Sequence, residues 1–215
     1  MRERTHNRTK TSIAAWVIYD TGNTIFFTGV LGLVFPLWLT TVMGGDDATV
    51  GFTIAAAMAV IFVISPVLGM VSDQVWRRML FLRFFTLIAI VSTLLIGTIG
   101  MTFSLALFAV GVVAIHTADV FYNTLLEDIS SRSNIGTVAG VGIGLGYFGA
   151  IAAVIIAIIF TESLGHVFVM RVLGVGMLIL TAPLLVIGRD SPARIKQSTA
   201  GLSALVMSTV RNLYR

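Results

Sequence analysis

Along this chain, apolar residues gather in six long runs, and polar residues are confined almost entirely to the gaps between them. The runs cover roughly 13–43, 49–71, 79–99, 102–126, 136–160 and 167–187. Each is at least as long as the roughly 20 residues that an α-helix needs to cross the hydrocarbon core of a bilayer. The gaps are short and carry helix stops or charges: Gly44-Gly45-Asp46-Asp47, Asp73 to Arg78, Gly100, Glu127 to Asn134, and Glu162 to His166. Gly100 is the faintest of them, yet a single helix across runs three and four would be far too long for a bilayer. The expected fold is all-α and integral to a membrane, with six transmembrane helices and both termini on the cytoplasmic side. The first run is too long for a signal peptide and has no small-residue cleavage site after it, so it is expected to stay in the mature protein.

Composition strengthens this picture. Of 215 residues, 57% are hydrophobic and 11% charged, and the mean hydropathy is +0.98. Soluble domains carry about 25% charged residues, so this chain lacks the means to cover a water-facing surface. It has no cysteine, which excludes disulfides, thiolate metal sites and cysteine nucleophiles. The net charge of +4 does not suggest nucleic acid, because the basic residues lie between apolar runs rather than in one patch.

Their placement sets the expected direction of threading. Of the 14 lysines and arginines, 12 fall before the first run, in the second and fourth gaps, or after the sixth run; Arg83 lies just inside the third run, close to the second gap, and Arg171 alone falls toward the other side. Positive residues in short loops mark the cytoplasmic side, so this distribution predicts that both ends are cytoplasmic. The expected organisation is a cytoplasmic amino terminus over 1–12, a six-helix domain over 13–187, and a tail over 188–215. In the tail, Leu202, Leu205, Val206, Val210 and Leu213 recur at helical spacing beside Arg211 and Arg215. That pattern predicts a basic amphipathic helix on the cytoplasmic leaflet.

Ionisable residues inside the runs are the candidate functional groups. A charge at the bilayer centre costs about 2.5–3.5 kcal/mol on insertion scales, so such residues face a bundle interior or a wet cavity. His116, Asp119 and Asn123 share one helix face at i, i+3 and i+7. Asp20, Asn23 and Thr24, with Tyr19 beside them, form a polar face on the first run. At 1.5 Å per residue, Asp20 lies about 15 Å and Asp119 about 12 Å from the cytoplasmic end. Two carboxylates at matching depth are suited to line a substrate or proton path, although polar residues in bundles also serve simply to bond neighbouring helices. Arg171, near the other end of the last run, is expected to reach the outer surface.

The fifth run holds Gly136, Gly140, Gly142, Gly144, Gly146 and Gly149. Gly144, Gly146 and Gly149 satisfy a dinucleotide fingerprint, but that motif requires a strand and a βαβ unit, which an apolar span excludes. Small residues at this spacing instead let helix backbones approach closely in lipid. Pro36 and Pro66 are expected to kink the first and second helices. No arrangement of hydrolytic or phosphate-binding residues is present, and His116 with Asp119 alone offers too few ligands for a metal. The expected protein has no cofactor and is not an enzyme.

The segment Gly69-Met-Val-Ser-Asp73-Gln-Val-Trp-Arg77-Arg78 resembles the loop signature of the major facilitator superfamily, G-x-x-x-D-(R/K)-x-G-R-(R/K)-(R/K). Gly69, Asp73, Arg77 and Arg78 match; Gln74, Trp76 and Met79 depart from it. The resemblance implies a cytoplasmic gate held by Asp73, Arg77 and Arg78. Trp16-Val-Ile-Tyr19-Asp20-Thr-Gly-Asn23 and Val120-Phe-Tyr122-Asn123-Thr-Leu-Leu-Glu-Asp128-Ile129 resemble the vacuole-effluxer branch, the autophagy-related amino-acid exporters and their bacterial relatives. The resemblance covers the first half of a twelve-span transporter, with the tail as the linker between halves. It implies alternating access for a small solute such as an amino acid, in the cytoplasmic or inner membrane. Lipid, and a second transporter half or a second copy, are the implied partners. The alternative expectation is a six-span scaffold that binds another protein and transports nothing.

Overall fold

The computed structural model describes residues 2–75, 78–131 and 133–190. Among them there is no strand, and six helices are long and apolar enough to span a membrane: Thr11–Thr41, Asp47–Leu68, Arg78–Leu95, Met101–Ile129, Ile135–Leu164 and His166–Ile187. The expected six-span, all-α architecture is observed. The predicted amphipathic helix in the tail falls outside the described residues.

The breaks come where backbone chemistry allows them. Between the third and fourth spans, Gly97 and Gly100 adopt φ of 80° and 147°, a region that glycine enters at little cost. The Ser104 hydroxyl accepts from the Gly97 amide at 3.0 Å, which satisfies a donor freed by the turn. Gly165, with φ of 81°, separates the last two spans. Helix ends differ from expectation by a few residues: the third span stops at Leu95, and the fourth runs on to Ile129 before Ser130 becomes extended. The first helix begins at Arg2, so the helical chain reaches back into the segment expected to precede the membrane.

Two prolines have different outcomes. Pro66 sits inside an unbroken helix, Asp47–Val75. Ahead of Pro36, the first span is a π-helix over Ile25–Val34, closed by the Phe35 amide donating to the Val30 carbonyl. Proline has no amide hydrogen, and its ring crowds the carbonyl four residues back. The wider π turn, bonded i to i−5, relieves that crowding.

The first span packs against the fifth and sixth, the third against the fourth and sixth, and the second against the fourth. One core, around Phe26, Phe35, Phe108, Leu39 and Met170, fills the middle and far half of the bundle. In it, Phe35 stacks on Phe108 with ring centroids 3.8 Å apart. A second core, around Trp16, Tyr19, Leu82, Phe121 and Tyr122, fills the half nearest the basic gaps. The candidate polar residues lie where these two cores meet.

Candidate functional site

The site begins with an aromatic foundation. The Trp16 indole donates to the Tyr122 carbonyl at 3.2 Å, and the Tyr122 hydroxyl donates to the Trp16 carbonyl at 3.2 Å. The two rings stack with centroids 4.5 Å apart and 6° between planes. Tyr19 also stacks on Tyr122, at 4.9 Å, and its hydroxyl pairs with Thr86 at 2.7 Å. Buried aromatics place their polar tips on partners, and here those partners tie the first span to the third and fourth.

One turn further along, the polar faces of the first and fourth spans meet. Asn23, 4% exposed, donates through Nδ2 to Asp119 Oδ1 at 3.3 Å. The carboxylates of Asp20 and Asp119 are close enough to interact electrostatically, and the Asp20 carboxylate lies beside the Tyr122 hydroxyl. The Thr24 hydroxyl turns back to the Asp20 carbonyl at 2.8 Å. Asn123, which is exposed, donates to the Asp119 carbonyl of its own helix at 2.9 Å and also reaches the Asp119 carboxylate. His116 stands a turn away, its ring edge-on to Phe27 at 4.9 Å. Its Nε2, like the Oδ1 of Asn23, is buried with no hydrogen-bond partner among the described residues. The structure therefore gathers Asp20, Asn23, Asp119 and Asn123, whereas His116 flanks the group without bonding to it.

Glycines in the fifth span make room for this group. A Cβ at Gly142 would lie 2.6 Å from the Trp16 ring, one at Gly146 would lie 2.7 Å from Asp20 Oδ2, and one at Gly149 would lie 2.2 Å from the Thr21 carbonyl oxygen. The close approach expected of the glycine run belongs to these three. Gly136, Gly140 and Gly144 face open space.

At the basic end, Arg78 is buried at 5% exposure and donates to the Thr124 carbonyl at 3.1 Å. It also forms an ion pair with Asp128 at 3.5 Å. Gly69 and Asp73 lie on the second helix, and Arg77 falls outside the described residues. The sequence alone assigns Asp128 no role and counts Arg83 only among the basic residues that set the direction of threading. The Arg83 guanidinium donates to the carbonyls of Leu185 at 2.6 Å and Gly188 at 2.8 Å, at the end of the sixth span. In return, the Asp190 carboxylate accepts from the Met79 amide at 2.9 Å, at the start of the third. The two helix ends cap each other. A lone arginine five residues inside a span, near an aspartate that ends another, was the available signal. Arg171 is exposed.

No protein-family model matches the chain. Over 154 residues, 67% of this chain, it is 29% identical to YxiO of Bacillus subtilis (strain 168), described as an uncharacterized MFS-type transporter, and covers 36% of that protein. Over 189 residues, 85% of this chain, it is 29% identical to an uncharacterized protein of Aquifex aeolicus (strain VF5), covering 47% of it. The chain thus spans less than half the length of these relatives. Over about two thirds of its length the chain is thus similar to part of an MFS-type transporter, and its described residues include six helices long and apolar enough to span a membrane.

Proposed function

We propose that this chain is the amino-terminal six-helix half of a secondary transporter that moves a small solute, such as an amino acid, by alternating access coupled to protons. The observation that carries the reading is the Asn23–Asp119 bond between the first and fourth spans, with a second carboxylate, Asp20, within electrostatic reach. Acidic side chains inside a membrane domain are expensive to keep and mark ion or solute paths. A carboxylate that exchanges a proton while its asparagine partner lets go is a direct way to link protonation to helix movement. Asp20, Asn23, His116, Asp119 and Asn123 line the path in this reading. Asp73, Arg77 and Arg78 hold a gate at the cytoplasmic end, with both termini on that side of the inner membrane.

The vacuole-effluxer branch is the favoured placement within the superfamily. It rests on the motifs around Trp16–Asn23 and Val120–Ile129, whose side chains build the aromatic foundation and supply Asn23 to the polar pair. The reading is tested by reconstituting the full-length protein into vesicles and following a panel of radiolabelled amino acids under an imposed pH gradient. Gradient-driven movement of at least one supports it. A protein that moves none of them, yet anchors another membrane protein, is the scaffold instead.

A further inference from the structure

The polar group between the first and fourth spans lacks a positive charge and leaves one acceptor unmatched. Its acceptors are the carboxylates of Asp20 and Asp119 and the Asn23 Oδ1 atom. Asn23 is 4% exposed, and that oxygen is buried without a partner among the described residues. The donors that reach the group are neutral: Asn23 Nδ2 and the exposed Asn123 reach Asp119, and the Tyr122 hydroxyl, which also donates to the Trp16 carbonyl, stands beside Asp20. No described lysine or arginine forms an ion pair with either carboxylate. Within the spans, Arg78 pairs with Asp128, Arg83 is held by the Leu185 and Gly188 carbonyls, and Arg171 is exposed near the opposite end of the sixth span.

Two neighbouring carboxylates in a membrane interior call for a compensating cation. An orphaned amide oxygen calls for a hydrogen-bond donor. A primary ammonium supplies both at once: one positive charge and three N–H donors with no acceptor. Three acceptor groups on two helices match those three donors in number.

We infer that the site formed by Asp20, Asn23 and Asp119 binds the primary ammonium group of the solute. This rests on the transport reading, in which that site lies on the solute path. Asp20 and Asp119 supply the charge complement, and Asn23 Oδ1 takes the third N–H. Because Asn23 and Asp119 belong to different spans, an ammonium seated between them ties the first span to the fourth.

The test uses the purified full-length protein at pH 7, where an aliphatic amine is protonated. Unfolding temperature is followed against n-butylammonium chloride, butyltrimethylammonium chloride and sodium chloride at matched concentrations; a ligand that binds the native state raises it by mass action. The expected result is stabilisation by n-butylammonium alone. The quaternary salt carries the same charge without N–H donors, and sodium carries charge without direction. Asp20→Asn and Asp119→Asn should each weaken n-butylammonium binding on the order of ten-fold or more.

Equal shifts from all three salts, no shift with n-butylammonium, or unchanged affinity in both variants would overturn the inference. If neither variant can be purified, the comparison of salts on the wild-type protein still decides. The measurement needs no gradient. Absent binding beside intact solute flux removes the ammonium assignment alone, and binding without any flux removes the transport reading instead.

Discussion

Trp16 and Tyr122 hold each other twice: each side chain donates to the other's backbone carbonyl at 3.2 Å while their rings lie stacked. This reciprocal clasp fixes the first span against the fourth, about two turns along the first and one along the fourth from where Asn23 meets Asp119. It explains how two helices distant in sequence keep a polar pair in register inside lipid. Tyr122→Phe removes one of the two bonds and keeps the stack. A loss of about 1 kcal/mol in unfolding free energy is expected, read by denaturant titration in detergent. A loss within error would show that the stacked rings alone hold the register.

The glycines of the fifth span divide into two sets with opposite expectations. Gly149→Ala puts a methyl 2.2 Å from the Thr21 carbonyl oxygen, and backbone has no easy way to yield. Overpacking of this kind costs about 1–3 kcal/mol. Gly140→Ala meets nothing within 4 Å and should leave stability unchanged or slightly raised, since alanine favours helix. Thermal unfolding of the two variants side by side checks the contrast; equal behaviour would contradict the packing described.

That division marks the limit of what the sequence reveals. Six spans are legible because lipid demands long apolar helices whatever their neighbours. The shared depth of Asp20 and Asp119 follows from rise per residue alone. Which glycine face is buried is a different matter. Gly142 and Gly144 sit on nearly opposite sides of one helix, yet their flanks are equally apolar, so no polar face reveals the side turned inward. The Trp16–Tyr122 clasp, the capping of the sixth span by Arg83 and the π-helix before Pro36 all depend on how helices meet or on backbone crowding. Hydrophobic periodicity carries neither.

Arg78 and Asp128 form a shielded ion pair at the basic end. Breaking such a pair by removing one partner leaves a charge uncompensated and costs about 3–5 kcal/mol. Arg78→Met and Asp128→Asn should therefore each destabilise strongly. The double variant should recover part of the loss, giving a coupling energy of about 1 kcal/mol or more in a double-mutant cycle. Strict additivity would mean the two side chains act independently.

Asp46 caps the second span by accepting from the Thr49 amide at 2.7 Å and from the Thr49 hydroxyl. Those bonds, the hydroxyl first, hold its carboxyl below the ordinary value of 3.8. A depressed carboxyl stabilises the folded state above its unfolded pKa and loses that contribution as pH falls through the lower, folded one. The cap is thus intact at neutral pH and released only in acid below 3.8. Hydrogen exchange at Thr49 and Val50 should speed up in Asp46→Ala at neutral pH. Unchanged protection there would show that the cap does not hold the helix start.

The central claim is that Asp119, bridged to Asn23, belongs to a proton-linked solute path. Its most direct test is solute flux through the full-length protein in vesicles as external pH is stepped, with Asp119→Asn compared with wild type at equal protein density. The variant is expected to insert normally and to lose the pH-driven component of flux. Flux in Asp119→Asn that keeps the wild-type pH dependence would contradict it and leave Asp119 as a structural tie between two helices.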